Sequence, residues 1–393
     1  MNNVPALVIG SDCITGLQTS RILSARGIPV IGIAEDKRHP AIYTRAKQRL
    51  FIAPTQGEEL VESLLRIAKQ LPSRPVLFPC TDMAVLTLSR HRDRLSQDFR
   101  FRLPEEEVVK TLIEKSTFHR FAMTEGIPVP KGLIVKDQHD ILQARETLRF
   151  PCYLKPTVKT PLWEAHIQDK VFRIEESGKL ETIWQEVNRW TGDMLVTESI
   201  EGGDTNHYTC NCYFSERGEP LVSFVSRKLR QWPPKTGTAS LSVAEDNDEV
   251  RELTLSLFGK IGFKGLGYIE AKYDDRDGKL YVIEPNIGRP TGRSAMAEAS
   301  GVELLKTMYC EILGLPLPAS NLTSGEPVKW MFLRQDARAS YSSWASGKLP
   351  LSQWWESVKG RKIFPLFSLS DPLPLLFDIK KNIGKLLARR SQH

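Results

Sequence analysis

Strands and helices alternate through the first 110 residues, and this alternation constrains the fold more than any other feature. Short apolar segments are each followed by a segment with helical periodicity. Such alternation predicts a parallel sheet with helices on both faces. We therefore expect an N-terminal α/β domain. The predicted elements are strands ALVIG, IPVIGIA and PVLFPC and helices Ile14–Arg26, Glu58–Gln70 and Met83–Arg94.

The length and composition indicate a globular protein of two or three domains, because 393 residues exceed one ordinary core. No apolar run is long enough to span a bilayer, and the N-terminus lacks the basic start of a signal peptide. We therefore expect a cytoplasmic protein without a transmembrane segment. The six cysteines do not have zinc-site spacing. The net charge of +7 is mild and forms no basic stripe with interleaved aromatic residues, so we expect no nucleic-acid partner.

A predicted hairpin in the second half of the chain concentrates oxygen-bearing side chains. The polar turn Asp274–Gly278 separates two segments of strand-like composition. Glu270 lies on the first segment. Glu284 and Asn286 are two residues apart on the second, so they point to the same face. Two carboxylates and an amide suit Mg²⁺, although a charged hairpin with a solvated face is the alternative.

Several basic residues are candidates for binding anions. Arg289 and Arg293 directly follow the hairpin and could contact the anionic groups that a metal would carry. Lys155 ends the apolar strand FPCYLKP, where a buried ammonium needs an anionic partner such as a phosphate. A strand-end lysine that reaches solvent is the alternative. The same two readings, a phosphate ligand or a lysine that reaches solvent, apply to Lys115. This residue precedes Ser116, the predicted N-cap of a helix that ends at Gly126.

Two further segments have features of a nucleotide site. Met194–Ile200 reads as an exposed edge strand that leads into a Gly-Gly bend, where Glu198 or the backbone could bind an adenine edge and Asp204 a ribose. Phe224–Thr238 carries alternating basic residues and ends in a loop with Pro and Gly, which is typical of a mobile lid over phosphates. An ordinary edge strand and a solvated basic loop are the alternatives.

The N-terminal domain offers two places for a ligand. The loop Gly10–Gly16 could hold an anion at a helix N-terminus, with Glu35 or Asp36 binding a ribose, but it lacks the G-x-G-x-x-G pattern. Thr81 and Asp82 follow a predicted strand at the carboxyl end of the sheet, where open α/β sheets bind ligands. An N-cap for the next helix is the alternative reading of this pair.

The order of these pieces resembles the ATP-grasp superfamily, in particular carboxylate–amine ligases of the D-aspartate ligase and D-alanine:D-alanine ligase type. A lysine before GIPVP, a strand-end Lys-Pro, an E-x-I-x-G-G-D hinge, a basic P-P-x-x-G-T loop and a hairpin ending in E-x-N follow one another. The resemblance covers residues 4–315. It implies an N-terminal parallel-sheet domain followed by two α+β lobes that clasp ATP.

The resemblance also implies roles for individual residues. Arg289 and Lys228 would be catalytic, since both would act on the transferring phosphate. Arg230 would lie close to the phosphates, and Arg293 is a weaker match to the family's arginine. The other implied ligands are Lys115 and Lys155 for phosphates, Thr197, Glu198 and Ile200 for adenine, Asp204 for ribose, and Glu270, Glu284 and Asn286 for Mg²⁺, or alternatively Mn²⁺.

Two departures from the family pattern affect this expectation. The stretch TVKTPLWEAHIQDK after Lys155 contains no glycine, where relatives carry a flexible Gly-rich loop, and Lys159 or Lys170 could take part of its role. The arginine of the usual E-x-N-P-R motif stands one residue later here, at Arg289. The expected domains are a parallel-sheet domain over 1–110, a small lobe over 111–190, a large lobe over 191–320 and an aromatic-rich extension over 321–393.

We therefore predict an ATP-dependent ligase that joins a carboxylate to an amine through an acylphosphate and releases ADP. At least one substrate is expected to resemble an amino acid. The alternatives are an acyl-thiol ligase, a kinase-like phosphoryl transfer, an ATP-binding sensor without turnover, and a nicotinamide-dependent reductase. The C-terminal extension, with a basic helix predicted at Leu376–Arg390, would pack on the body of the protein, form a homodimer, or contact a partner or an anionic membrane.

Overall fold

A computed structural model describes residues 4–157, 160–167, 171–319 and 326–390. The chain divides into two compact units. The first unit comprises Met1–Val109, Thr209–Tyr268 and Asn286–His393, and the second comprises Lys110–Tyr208 and Ile269–Pro285. Among the helices in these ranges, none combines the length and the apolar composition that spanning a bilayer requires.

The N-terminal residues form the predicted parallel sheet. Its strands are β1 (Ala6–Ile9), β2 (Val30–Ala34), β3 (Arg49–Ile52) and β4 (Val76–Pro79). They are parallel and lie in the order β3-β2-β1-β4. Every side chain of β1 is fully buried, as expected for a strand covered on both faces. The helices of this part are α1 (Ile14–Ala25), α2 (Gly57–Ala68), α3 (Asp82–Arg90), α4 (Arg92–Leu95) and α5 (Glu106–Ile113).

The second unit contains a four-stranded antiparallel sheet. Its strands are β5 (Gly132–Val135), β6 (Cys152–Pro156), β7 (Phe172–Ile174) and β8 (Met194–Glu198), in the order β5-β8-β6-β7. Leu154 and Val196 pack with Trp163 in a core of their own. This core fixes the strands that carry the predicted nucleotide ligands. The helices are α6 (Lys115–Thr124), α7 (Gln138–Thr147), α8 (Pro161–His166) and α9 (Ser177–Val187).

The predicted N-cap at Ser116 is wrong. Helix α6 begins at Lys115, and its N-cap is Glu114, two residues before the predicted cap. The Ser116 hydroxyl lies inside the helix and donates a hydrogen bond to the Glu114 carboxylate over 2.7 Å. A hydroxyl held in this way does not cap the backbone N–H groups of the first turn.

The largest sheet among the described residues has seven strands. Its strands are β9 (His207–Phe214), β10 (Pro220–Trp232), β11 (Thr238–Ala244), β12 (Gly265–Tyr273), β13 (Leu280–Ile287), β14 (Lys329–Met331) and β15 (Lys362–Ile363). They lie in the order β13-β12-β9-β10-β11-β14-β15. Phe214, Phe258 and Phe263 form an aromatic cluster beside it, in which Phe214 meets the other two rings edge to face. The remaining helices are α10 (Asp248–Lys260), α11 (Ser294–Ala299), α12 (Leu304–Ile312), α13 (Leu333–Ala345), α14 (Leu351–Val358) and α15 (Leu373–Arg390), with short 3-10 turns at Pro40–Tyr43, Asn188–Trp190 and Asp204–Asn206.

The C-terminal residues belong to the first unit and pack on its other elements, as one of the sequence-based alternatives expected. Strands β14 and β15 extend the large sheet at its β11 edge. Phe377 of α15 stacks on Tyr43 with ring centroids 3.5 Å apart. The Asp371 carboxylate accepts hydrogen bonds from Arg21 and Thr44. The C-terminal helix is therefore anchored to the N-terminal domain, and it begins at Leu373 rather than at Leu376.

Candidate active site

The predicted acidic hairpin is present. Strands β12 and β13 are neighbours in the large sheet, and the turn Asp274–Gly278 joins them. Arg276 stabilises the turn, because its guanidinium donates to the buried Asp274 carboxylate, and Gly278 supplies the positive φ of 68° that the turn requires. Glu270 on β12 is half-buried and Glu284 on β13 is exposed. The turn and its neighbouring strands thus hold two carboxylates on adjacent strands.

Lys155 occupies the end of strand β6 in the second unit. Burial lowers the pKa of its ammonium to about 8. Glu284 opposes this shift by favouring the charged form, and Lys115 adds to it by repulsion. Lys155 is therefore close enough to both Lys115 and Glu284 to be influenced by each, although the three come from a helix and two different strands. A cluster of two ammonium groups with one carboxylate is able to bind a phosphate and its metal ion.

The segment predicted as an exposed edge strand is an interior strand, so that prediction is wrong. Strand β8 pairs with both β5 and β6, and Thr197 lies opposite Gly132 on one side and Tyr153 on the other. Its backbone groups are consequently used within the sheet until Glu198, the last residue of β8. Whether a strand is interior depends on partners distant in sequence, which local composition does not reveal.

The chain leaves the sheet after Glu198 and forms the predicted bend. The carbonyl oxygen of Ile200 accepts a hydrogen bond from the Lys272 ammonium over 2.6 Å. Gly202 has a φ of 126°, and a Cβ there would lie 2.4 Å from the Asn206 amide, so only glycine fits. Asp204 begins a short 3-10 turn next to this bend. The predicted adenine and ribose ligands thus lie on one continuous and well-supported segment.

Arg173 is a residue of this region that sequence reasoning missed. Its guanidinium donates to Ser199 over 2.8 Å and to Glu201 over 3.1 Å. It therefore fixes the segment that follows β8. A lone arginine on a short strand gave no sequence signal for this role.

The basic residues predicted on an extended segment lie on strand β10, and the predicted Pro- and Gly-containing loop is the short connection Pro233–Gly237. The register of β10 on β11 shifts on either side of Arg230, which marks a β-bulge. The Lys228 side chain is buried, and its ammonium donates to Gln231 over 3.0 Å. Ladder hydrogen bonds with β11 fix these residues, and only the short connection Pro233–Gly237 remains outside the strands.

Arg230 is held away from a ligand role by a buried ion pair. Its guanidinium donates to both oxygens of Asp336, each over 2.8 Å, and to the Ser357 hydroxyl. The side chains of Arg230 and Asp336 are 7% and 1% exposed, respectively. Three donor nitrogens are thus used by helices α13 and α14, so Arg230 joins the C-terminal residues to β10. Asp336 is 106 residues away and carried no sequence signal.

Arg289 contacts three polar side chains of the first unit. It donates to the Asp82 carboxylate, to the Tyr268 hydroxyl over 2.8 Å and to the Asn286 Oδ1 over 2.6 Å. Burial disfavours its charge, but Tyr268 and Asp82 outweigh burial and raise the pKa of the guanidinium. Arg289 is therefore charged and fixed in position. Tyr268 is a further residue that sequence reasoning missed.

The remaining predicted residues have identifiable partners or lie outside the described residues. Thr81 is the N-cap of α3, because its hydroxyl oxygen accepts from the Ala84 N–H over 3.2 Å, which is the alternative reading given above. Asp82 pairs with Arg289 as described. Arg293 donates to the Thr209 hydroxyl over 3.1 Å. Lys159 and Lys170 lie outside the described residues.

The donor set of the hairpin is suited to a hard divalent cation. Glu270 and Glu284 supply carboxylate oxygens, and Asn286 follows Glu284 by two residues on β13. The Asn286 Oδ1, the amide atom that could bind a cation, accepts from Arg289 over 2.6 Å, and the Nδ2 donor is buried without a hydrogen-bond partner among the described residues. The side chains present thus fit Mg²⁺ rather than a metal that prefers sulfur or imidazole.

Comparison with known proteins finds similar ligases. No known family's sequence model matches the chain. The D-aspartate ligase of Enterococcus faecium (strain Aus0004) is 25% identical over 303 residues, which cover 74% of this chain and 72% of that protein. The D-alanine--D-alanine ligase of Neisseria gonorrhoeae (strain NCCP11945) is 23% identical over 186 residues, covering 45% of this chain and 58% of that protein. The chain thus spans less than two thirds of the second relative.

Solved structures agree on the fold. N5-carboxyaminoimidazole synthetase from Staphylococcus aureus superposes with a TM-score of 0.63 at 14% identity, covering 83% of this chain and 81% of that one. Biotin carboxylase from Campylobacter jejuni superposes with a TM-score of 0.64 at 16% identity, covering 81% of this chain and 72% of that one. The chain has the ATP-grasp fold, and its sequence is similar to those of ligases that form carbon–nitrogen bonds. The resemblance and the fold class predicted from the sequence are confirmed. The predicted domain boundaries and the roles of individual residues stay predictions.

Proposed function

We propose that this ATP-grasp ligase uses ATP to activate a carboxylate and joins the acyl group to an amine, with at least one amino-acid-like substrate. The observation that carries the proposal is the cluster of Lys115, Lys155 and Glu284, because it places two cations beside a potential metal ligand. The similarity to a protein named D-aspartate ligase supports an amino-acid-like substrate.

ATP binds the second unit in this proposal. Lys115 and Lys155 bind its phosphates, and Thr197, Glu198 and Ile200 line the adenine pocket, while Asp204 binds the ribose. In the first unit, Lys228 acts on the phosphates. Neighbouring structures support this assignment, since the same synthetase from Staphylococcus aureus was solved with ADP and a biotin carboxylase domain from Hydrogenobacter thermophilus with MgADP.

Mg²⁺ is the proposed metal. Glu270, Glu284 and Asn286 would hold it, and when bound it neutralises charge on the phosphates. The all-oxygen donor set supports Mg²⁺, and Mn²⁺ would fit the same ligands.

The chemistry follows from the poor reactivity of a carboxylate. A carboxylate oxygen attacks the γ-phosphorus of ATP, the bond to the β–γ bridging oxygen breaks, and ADP leaves. The amine nitrogen then attacks the acyl carbon of the acylphosphate, and phosphate leaves with the carboxylate oxygen. Catalysis requires positioning and charge neutralisation rather than a protein nucleophile. Arg289, fixed by Asp82 and Tyr268, is proposed to stabilise the transferring phosphoryl group.

The acyl donor is proposed to bind near Thr81, Asp82 and Arg293 of the first unit. Thr81 and Asp82 follow β4 at the carboxyl end of the parallel sheet. Cytoplasmic location and a homodimer through the C-terminal residues likewise stay predictions.

The test is ADP release from MgATP with a panel of amino acids and small carboxylates, each alone and in pairs. We expect release only with a matching acid and amine, and loss of at least a hundredfold in Glu284→Gln. Glu252→Gln, a substitution of the same type on helix α10, is the matched control and should retain full activity. Dependence on a thiol instead of an amine would replace this proposal by the acyl-thiol alternative. Failure to bind ATP would refute it entirely.

A further inference from the structure

The net charge of the chain is concentrated at its C-terminus. Residues 326–393, named here the C-terminal segment, contain 12 Lys or Arg and 5 Asp or Glu. This excess equals the net charge of +7 of the whole chain, so residues 1–325 are neutral overall. A charge confined to one segment indicates an anionic partner for that segment rather than a general requirement for solubility.

Among the described residues, most of the large apolar side chains that are exposed to solvent belong to the C-terminal segment. Clustered exposed apolar side chains are uncommon on a monomer and mark interaction sites. The exposed members are Leu333, Tyr341, Trp344, Leu351, Trp355, Phe367, Leu369, Leu376, Ile379 and Ile383.

Helix α15 is amphipathic in an unusual sense, because its outward face is apolar. Its inward face is occupied by Phe377, which stacks on Tyr43. Leu376, Ile379 and Ile383 are 45–55% exposed and recur at the spacing of one helical face. Lys380 is exposed on the same face. The helix thus presents an apolar stripe accompanied by a positive charge.

Helix α13 also exposes apolar side chains together with a positive charge. Its inward face carries Asp336, which pairs with Arg230, and its outward face exposes Tyr341 and Trp344, whose ring centroids are 6.0 Å apart. Arg338 is exposed one turn earlier. A salt bridge of 3.4 Å from Arg334 to Asp378 joins α13 to α15. The two outward faces therefore belong to helices that contact each other.

We propose that the C-terminal segment binds the surface of an anionic lipid bilayer. The apolar stripe of α15 and the aromatic rings of α13 would enter the interfacial region, where Tyr and Trp are favoured, while lysine and arginine contact anionic headgroups. The concentrated positive charge argues against a second copy of the chain, since two such faces repel. The aliphatic stripe argues against nucleic acid, whose phosphate backbone offers it no partner.

The test is co-sedimentation of the full chain with vesicles of phosphatidylcholine alone or mixed with phosphatidylglycerol. We expect binding to the anionic vesicles at least tenfold tighter than to the neutral ones. The variant Leu376→Ser/Ile379→Ser/Ile383→Ser should bind at least tenfold more weakly, and Lys380→Glu should weaken binding to anionic vesicles only.

Controls separate lipid binding from misfolding and from self-association. Ile52→Ser/Leu142→Ser changes exposed apolar residues elsewhere and should bind like the unmodified protein. Each variant is compared by its Tm, so that a folding defect is recognised. The proposal would be overturned if the triple variant bound anionic vesicles as tightly as the unmodified protein does. It would also be overturned if the unmodified protein did not bind anionic vesicles. A concentration-dependent dimer that the triple variant abolishes would show that a second copy covers this face instead.

Discussion

Lys155 is the single residue on which the proposed nucleotide site most depends. Its ammonium lies at a buried strand end near Lys115, and both burial and repulsion favour the neutral form. A bound phosphate would favour the charged form. The affinity for ATP should therefore be linked to the protonation of Lys155.

The first prediction concerns pH. With a pKa of about 8 in the free protein, Lys155 is charged at pH 6.5 and largely neutral at pH 9. Because ATP raises this pKa, binding takes up a proton above pH 8, and the affinity falls by up to about tenfold per pH unit. Titration calorimetry in two buffers of different ionisation enthalpy measures the uptake. Lys155→Arg should retain binding and remove the uptake, since arginine stays charged. Equal proton uptake by the variant would exclude Lys155 as its source.

The second prediction concerns stability and Glu298. Burial raises the pKa of its carboxyl to about 7, while Arg26 opposes the shift. The folded state thus holds this proton more tightly than the unfolded chain, whose carboxyl has a pKa of 4.5, and stability is lost as the pH rises from 4.5 to about 7. Glu298→Gln should leave Tm unchanged at about pH 4 and stabilise the protein by about 1–3 kcal/mol at about pH 8. A gain of the same size at both pH values would refute the pKa assignment.

Helix α13 is the element whose role the sequence concealed. It packs on β10 and β11 and supplies Asp336 to Arg230, next to the strand position of Lys228. The C-terminal segment therefore packs on strand β10, which carries Lys228 and Arg230, and supports it.

The third prediction follows from this ion pair. Asp336→Ala leaves the Arg230 guanidinium buried without its carboxylate, and we expect a loss of about 3–5 kcal/mol in the free energy of unfolding. Arg334→Ala removes the more exposed pair with Asp378 on the same helix, and it should cost no more than about 1 kcal/mol. Calorimetry of both variants decides the issue. Similar losses would mean that Asp336 adds nothing beyond an ordinary helix contact.

Local patterns predicted those elements whose determinants are local. The hairpin β12–β13 follows from strand-like segments around a Gly-terminated turn, and β1 follows from a short apolar run before a helix. The interior position of β8 and the pairing of Lys228 on β10 depend on strands elsewhere in the chain. Asp336 and Tyr268 contact their partners only in the folded protein. Sequence thus indicated the candidate ligands, and tertiary pairing decided which of them are already held by other side chains.

At the scale of the whole molecule, the fold and the similarity to known ligases are established. The central claim that an experiment must test is the course of the reaction. An ATP-grasp ligase that activates its acid as an acylphosphate must move a carboxylate oxygen onto phosphate. Simple ATP hydrolysis takes that oxygen from water.

The most direct test labels the carboxylate of the accepted acid with ¹⁸O and analyses the released phosphate by mass spectrometry. The mechanism predicts one ¹⁸O atom in each phosphate formed with acid and amine both present, and no label when the heavy oxygen is supplied as water. Unlabelled phosphate from the labelled acid would contradict the acylphosphate mechanism, even if ADP release depended on both substrates.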